Sequence, residues 1–149
     1  MKSIRHSSAR QQGVSMIEVL IAILVSVIGL FGAMKMQMNA VSNTHSSYFR
    51  SQAAIVSGAL VDQMRANSTA ALAGNYDITL TESAPTSGGL EVADLTQWRS
   101  DLAVGLPSGV GSVACVSATR ICNLVIQWDD SRGLTGSSTQ QFSLTVRLQ

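Results

Sequence analysis

A single carboxylate interrupts a long apolar run near the start of the chain. Every residue from Val14 to Met34 is apolar or small except Glu18. An α-helix needs a run of about this length to cross the hydrocarbon core of a bilayer, so the sequence predicts a transmembrane helix over residues 14–34. An ionisable group inside such a helix costs a few kcal/mol and points to a function that involves a partner. Any functional interpretation therefore depends on what Glu18 pairs with.

The α-amino group of Val14 is the candidate partner of Glu18. If the chain were cut after Gly13, Val14 would carry a new amino terminus, which is mostly protonated at neutral pH. Residues four apart lie on one face of a helix, so this ammonium can meet Glu18 of its own chain or of a neighbour. A pair between chains would also set their axial stagger. The residues leave a simpler alternative open, in which Glu18 reaches the polar region at one membrane face.

The segment before the apolar run predicts the orientation in the membrane. Residues 1–13 contain no acid and four basic or imidazole side chains, Lys2, Arg5, His6 and Arg10. By the positive-inside rule this end stays in the cytoplasm and the rest of the chain is exported. An ordinary secretory signal needs a shorter apolar core and a small-residue cleavage site, which the stretch Met34–Ala40 does not offer. We expect a single-pass protein of the bacterial inner membrane with a periplasmic C-terminal domain.

The order of a basic leader, Gly13, a hydrophobic Val14 and then Glu18 within an apolar run resembles the type IV prepilin signature. The resemblance implies that a prepilin peptidase cuts between Gly13 and Val14 and methylates Val14. It also implies that Glu18 pairs with an amino terminus and sets subunit register. The fold it implies is α+β and pilin-like, with one long N-terminal helix packed on a small antiparallel sheet. Val14 departs from the usual Phe, and the lack of proline before Pro85 predicts a less kinked helix.

Apolar spacing predicts that the helix continues as an amphipathic segment over residues 35–67. The predicted stripe is Val41, His45, Tyr48, Gln52, Ile55, Ala59 and Gln63, widened by Phe49, Val56, Leu60 and Met64. On this stripe His45 is expected to be half-buried. Met34, Met36 and Met38 could suggest a copper site, but at their spacing flexible packing is the better interpretation.

Residues 68–149 are expected to form the sheet domain that the helix packs on. Alternation and turn residues predict four strands, at Tyr76–Leu80, Ser112–Val116, Ile121–Trp128 and Phe142–Leu148. Asp94 is predicted to cap a short helix whose buried side carries Leu95, Trp98 and Leu102. We expect Trp98 and Trp128 to lie in the core.

Cys115 and Cys122 are the only cysteines in the sequence. In an exported domain a disulfide is the default interpretation, worth about 2.5 kcal/mol for so short a loop. Two buried thiols and a zinc site are the alternatives, and zinc lacks nearby histidine ligands. The pilin resemblance adds support, since pilins commonly carry a cysteine pair that bridges a loop towards the C-terminus.

No pattern typical of catalysis or cofactor binding is present, so we expect a protein that is not an enzyme. The nucleophile-elbow motif and phosphate-binding glycine loops are missing. Asp129 and Asp130 could contribute to a Ca²⁺ site, but a solvated hairpin turn explains them better. Cations are scattered after the leader, so direct nucleic-acid binding is not expected.

Short motifs in the second half resemble minor pilins, namely Gln97–Arg99, Leu102 with Leu106–Pro107, and Val125–Arg132. The resemblance implies a minor pilin that primes or caps assembly of a type IV pilus, with roles in adhesion and twitching motility. Its implied partners are other minor pilins, the major pilin, the prepilin peptidase, the inner membrane and the pilus assembly platform. A type II secretion pseudopilin is one alternative. The other is a pilus-tip adhesin or DNA-uptake subunit, which requires an exposed aromatic or basic patch.

Overall fold

The computed structural model describes residues 13–149, so the predicted leader, apart from Gly13, lies outside the described residues. The described helices and strands are α1 (Met16–Ala66), α2 (Ser68–Leu72), α3 (Leu90–Gly105), β1 (Val110–Val116), β2 (Ile121–Trp128) and β3 (Gln140–Arg147). The chain divides into two compact units, and the boundary falls within α1 after Met38.

The first unit, as far as it is described, is the apolar start of α1. Its side chains are exposed, and the helix is long and apolar enough to span a membrane by length and composition. The hydroxyl of Ser26 donates to the Ala22 carbonyl at 2.7 Å, so this polar group is satisfied within the helix. The unit therefore presents to its surroundings an almost wholly apolar surface.

The second unit is built around a three-stranded antiparallel sheet in the order β1-β2-β3. Every second residue of β2 is buried, because successive side chains of a strand point to opposite faces. These residues are Cys122, Leu124, Ile126 and Trp128. The second half of α1 packs on this face, which gives the α+β, pilin-like arrangement that the sequence predicts.

The buried face of α1 agrees only in part with the predicted stripe. Of its predicted members, Leu60 and Met64 are buried and Phe49 and Val56 pack partly buried against the core. The other buried residues of α1 are Ala53, Ser57 and Val61, and the Ser57 hydroxyl donates to the Ala53 carbonyl at 2.6 Å. Tyr48 and Ile55 are exposed. The predicted half-buried position of His45 is also wrong, since this side chain is exposed.

The helix predicted to start at a cap formed by Asp94 starts earlier. α3 begins at Leu90, after Gly89, whose N–H donates to the Glu91 carboxylate at 2.8 Å. Asp94 is a buried residue inside the helix. The predicted apolar side of this helix, which includes Trp98, does lie in the core, and Trp98 is 2% exposed.

The strand predicted at Tyr76–Leu80 is wrong. This segment makes a single antiparallel bridge, between Ile78 and Val113. On one side a turn links the Asp77 N–H to the Gly74 carbonyl. On the other, the Thr79 N–H donates to the Glu82 carboxylate at 2.7 Å. The next outward N–H of β1, that of Cys115, donates to the Asp77 carboxylate rather than to a backbone carbonyl, so the ladder does not continue past the bridge at this end.

Candidate functional site

The Gly13–Val14 peptide bond lies just before α1. Both residues are exposed and outside the helix. The carbonyl of Ser15 accepts the first helical hydrogen bonds, from the N–H of Glu18 at 3.0 Å and of Val19 at 3.2 Å. The bond that the sequence marks for cleavage is therefore accessible and free of helical hydrogen bonding.

Glu18 occupies the first turn of α1, where an acid is favoured by the positive end of the helix dipole. Its side chain and that of Val14 line the same open groove of about 440 Å³. The other lining residues are Val19, Ala22, Ile23, Ser26 and Val27. The two residues that the sequence proposes to pair therefore lie on one side of the exposed start of the chain's first unit, and their pairing stays a prediction.

A disulfide joins Cys115 to Cys122, as the sequence suggested. The two residues are direct cross-strand partners in β1 and β2, with Cα atoms 4.1 Å apart. The N–H of Cys115 donates to the Asp77 carboxylate at 2.8 Å. The hairpin tip is thus tied both across the sheet and to the segment that follows α2.

The polar turn after β2 is not a fully solvated hairpin turn. Asp130 is only 4% exposed and accepts a hydrogen bond from the Ser46 hydroxyl of α1 at 3.1 Å. Asp129 accepts from the Ser131 N–H at 2.9 Å, and hydrogen bonds from Ser131 lower the pKa of Asp129. The turn borders an open groove of about 440 Å³ that also contains His45 and Phe49. Within residues 13–149, no three His, Cys, Asp or Glu side chains are grouped to hold a metal ion.

A buried hydrogen bond that the sequence did not reveal links Tyr76 to Asp94. The Tyr76 hydroxyl donates to the Asp94 carboxylate at 2.5 Å, and the Asn67 amide donates to the same hydroxyl at 3.4 Å. Burial and the hydrogen bond to Asp94 raise the pKa of Tyr76 to about 12. The contact joins the segment after α2 to α3, across a sequence separation of 18.

Arg99 is a second structural residue within a motif that the sequence singled out. Its guanidinium donates to three carbonyls of the segment before α3, those of Thr79 at 2.6 Å, Glu82 at 2.7 Å and Leu80 at 3.4 Å. Burial lowers the pKa of Arg99, and the nearby Glu82 carboxylate opposes this. The Gln97–Arg99 motif therefore contributes a core residue, Trp98, and an arginine that holds the segment before α3 in place. We call the hydrogen bonds of Arg99 to this segment the Arg99 clamp.

Residues 8–34 match the family model described as the prokaryotic N-terminal methylation motif. No curated protein and no solved structure matches the chain at a significant level. The matched segment contains Gly13, Val14 and Glu18. Together with the long helix on a small antiparallel sheet, it supports a type IV pilin-like family.

The class indicated is a membrane-anchored pilin or pseudopilin-type subunit, which suggests a structural component rather than an enzyme. The motif also implies processing by a prepilin peptidase and association with the membrane machinery that assembles such subunits.

Proposed function

We propose that the protein is a minor pilin of a type IV pilus, similar to the pilus modification protein PilV, and that it primes or caps assembly with other minor pilins. The observation that carries the proposal is the position of Val14 and Glu18 in one exposed, apolar groove at the start of α1. A prepilin peptidase cuts after Gly13 and methylates the new amino terminus on Val14.

The register of the assembled subunit is set by the charge pair between Glu18 and an amino terminus. A carboxylate left alone in lipid is costly, so a subunit whose Glu18 meets an ammonium is favoured over one that is displaced along the axis. A pair between chains is supported by the exposure of Val14 and Glu18, which leaves both residues accessible to a neighbour. The ammonium would be at residue 14 of one chain and the carboxylate at residue 18 of the next. Their pairing would therefore fix the offset of neighbouring subunits along the filament axis.

The minor-pilin assignment has a different basis from the pilin class. It relies on the short motifs around Trp98 and Trp128, whose tryptophans lie in the core and so preserve the shape of the domain. The same N-terminal motif supports a type II secretion pseudopilin equally. Both tryptophans are buried, which counts against a tip adhesin that binds through them.

The proposal is tested by replacing Glu18 in the full-length chain and fractionating the cells. Glu18→Ala should leave leader cleavage intact but reduce the chain in sheared filaments, and the number of surface filaments, at least about tenfold. Ser26→Ala is the matched control, because Ser26 lies in the same groove but is bonded within its own helix.

Protein secretion measured in the same strains separates the two assembly systems. A pilus subunit should affect filaments and leave secretion unchanged, whereas loss of secretion with normal filaments would favour the pseudopilin alternative. Normal piliation by Glu18→Ala would overturn the charge-pair mechanism.

A further inference from the structure

The two edges of the sheet differ in whether their outward-facing backbone groups are hydrogen-bonded. At the β1 edge, Ile78 and Val113 exchange both N–H···O bonds, each at 2.9 Å. The N–H of Cys115 is taken by the Asp77 carboxylate. The segment after α2 thus closes the β1 edge at two successive outward-facing residues.

The β3 edge is open in the part of the chain that the structure describes. In an antiparallel sheet, alternate residues direct their N–H and C=O groups to one side. The N–H of Leu148 bonds to the Arg120 carbonyl, so the even-numbered residues of β3 bond to β2. The odd-numbered ones then direct both backbone groups outwards, and all four are exposed residues, namely Gln141, Ser143, Thr145 and Arg147.

Apart from Arg147 at its end, the open edge lacks the features that usually protect one. β3 contains neither proline nor lysine, and its register with β2 runs without a bulge from Gln140 to Arg147. Two of its outward-facing residues bond to β2 through their side chains, Gln141 to Gln127 at 2.9 Å and Thr145 to Asn123 at 2.7 Å. The edge therefore offers a regular row of backbone groups with which another strand can pair.

We propose that the free edge of β3 binds an extended segment of a neighbouring pilin-type subunit by antiparallel strand addition. This inference rests on the proposed function. The segment would carry aliphatic residues that continue the half-buried row of Phe142, Leu144 and Val146. It would also place a carboxylate opposite Arg147, the one charged side chain of β3.

A different subunit fits this edge better than a second copy of the chain. Two β3 strands can pair about Leu144 only through a two-fold axis perpendicular to the sheet. In such a pair Arg147 lies opposite Gln141 of the second copy, and β3 contains no carboxylate, so a second copy's β3 would leave Arg147 without a counter-charge.

Amide hydrogen exchange on the full-length chain tests the inference. Exchange is compared between detergent-solubilised, unassembled chain and sheared filaments. The outward-facing amides of Ser143 and Thr145 should exchange fast in detergent and at least about tenfold more slowly in filaments. The amides of Leu144 and Val146, which bond to β2, should be protected in both states.

A matched pair of variants supplies a second readout. Ser143→Pro removes one outward N–H and is compatible with an edge strand whose bonds to β2 are kept. It should reduce incorporation into filaments about tenfold, whereas Ser143→Ala, which keeps the N–H, should incorporate normally. Normal folding of both is checked by the protection of the Leu144 amide.

Each alternative outcome overturns a different statement. If the chain is present in filaments but the outward amides exchange equally fast in both states, or if both variants incorporate equally, strand addition is wrong and the proposed function stands. Protection of these amides in the unassembled chain would assign the edge to a second copy. Absence of the wild-type chain from filaments would overturn the proposed function and the inference with it.

Discussion

The side chains of Glu18 and Tyr76 differ in their exposure and in the partners available to them. Glu18 is exposed and sits in the first turn of a helix that is otherwise apolar, so its charge is available to an external partner. Tyr76 is fully buried, and its hydroxyl donates to the Asp94 carboxylate within the domain. In the proposed function Glu18 serves assembly, whereas the contact of Tyr76 serves the stability of the domain.

Loss of the Tyr76 hydroxyl should destabilise the domain. Tyr76→Phe leaves the buried Asp94 carboxylate without its donor, which should cost about 1–3 kcal/mol of unfolding free energy. Urea titration of the full-length chain in detergent, followed by the fluorescence of the two buried tryptophans, measures this. A urea midpoint equal to that of the wild type would show that the hydrogen bond between Tyr76 and Asp94 does not contribute to stability.

The same contact predicts a loss of stability at alkaline pH. The pKa of Tyr76 is raised from 10.0 to about 12 in the folded chain. A raised pKa means that folding favours the protonated phenol, so its contribution is complete below about pH 10 and is lost as pH rises through about 12. The difference in phenolate absorbance between wild type and Tyr76→Phe should therefore titrate near pH 12. A midpoint near 10 would contradict the buried hydrogen bond.

Among the secondary-structure elements, the end of α1, the strands of the sheet and the apolar side of α3 were predictable, whereas the start of α3 and part of the packing face of α1 were not. α1 ends at Ala66, within one residue of the predicted end at 67. On α1 the predicted Leu60 and Met64 are buried, but Ala53 and Ser57 were missed because small side chains carry little apolar signal. Tyr76–Leu80 alternates like a strand, but it makes a single bridge to β1.

Tertiary contacts account for the rest of what the sequence did not reveal. Ser46 and Asp130 are separated by 84 residues, and no local pattern links them. At the candidate site, by contrast, Val14 and Glu18 are only four residues apart in sequence, although Val14 lies just before α1 rather than within it. Their pairing stays a prediction from the sequence, whereas the contacts that hold the domain together required the fold.

The disulfide should stabilise the β1–β2 hairpin. Replacing both Cys115 and Cys122 with alanine should cost about 2.5 kcal/mol, the loop-entropy value for so short a loop. The midpoint of urea unfolding measures the loss, and addition of reductant to the wild type should reproduce it. A double variant as stable as the oxidised wild type would contradict this assignment.

The Arg99 clamp should order the segment before α3. Arg99→Ala removes hydrogen bonds to three carbonyls and should destabilise the chain by about 1–3 kcal/mol. Arg99→Lys should recover only part of this, because an ammonium lacks the planar fork of donors. Arg50→Ala on the exposed side of α1 is the control and should be neutral. Equal effects of the three variants would exclude a specific clamp.

At the scale of the whole molecule, the chain combines a helix long and apolar enough to span a membrane with a small α+β domain. The apolar start of α1 carries Glu18 in its first turn, and the described part of the domain has an open sheet edge at β3. In the proposed function these two features contact different parts of a neighbouring subunit. The chain would then act through the position it takes in an assembly.

The central claim is that a freshly exposed amino terminus on Val14 provides the counter-charge for Glu18. N-terminal mass analysis of the chain from membranes and sheared filaments tests this most directly. The account predicts a mature chain that begins at Val14 and carries a methyl group on its amino nitrogen. A chain that retains Met1 and the following residues through Gly13 in both fractions would contradict it, because no ammonium would then lie beside Glu18.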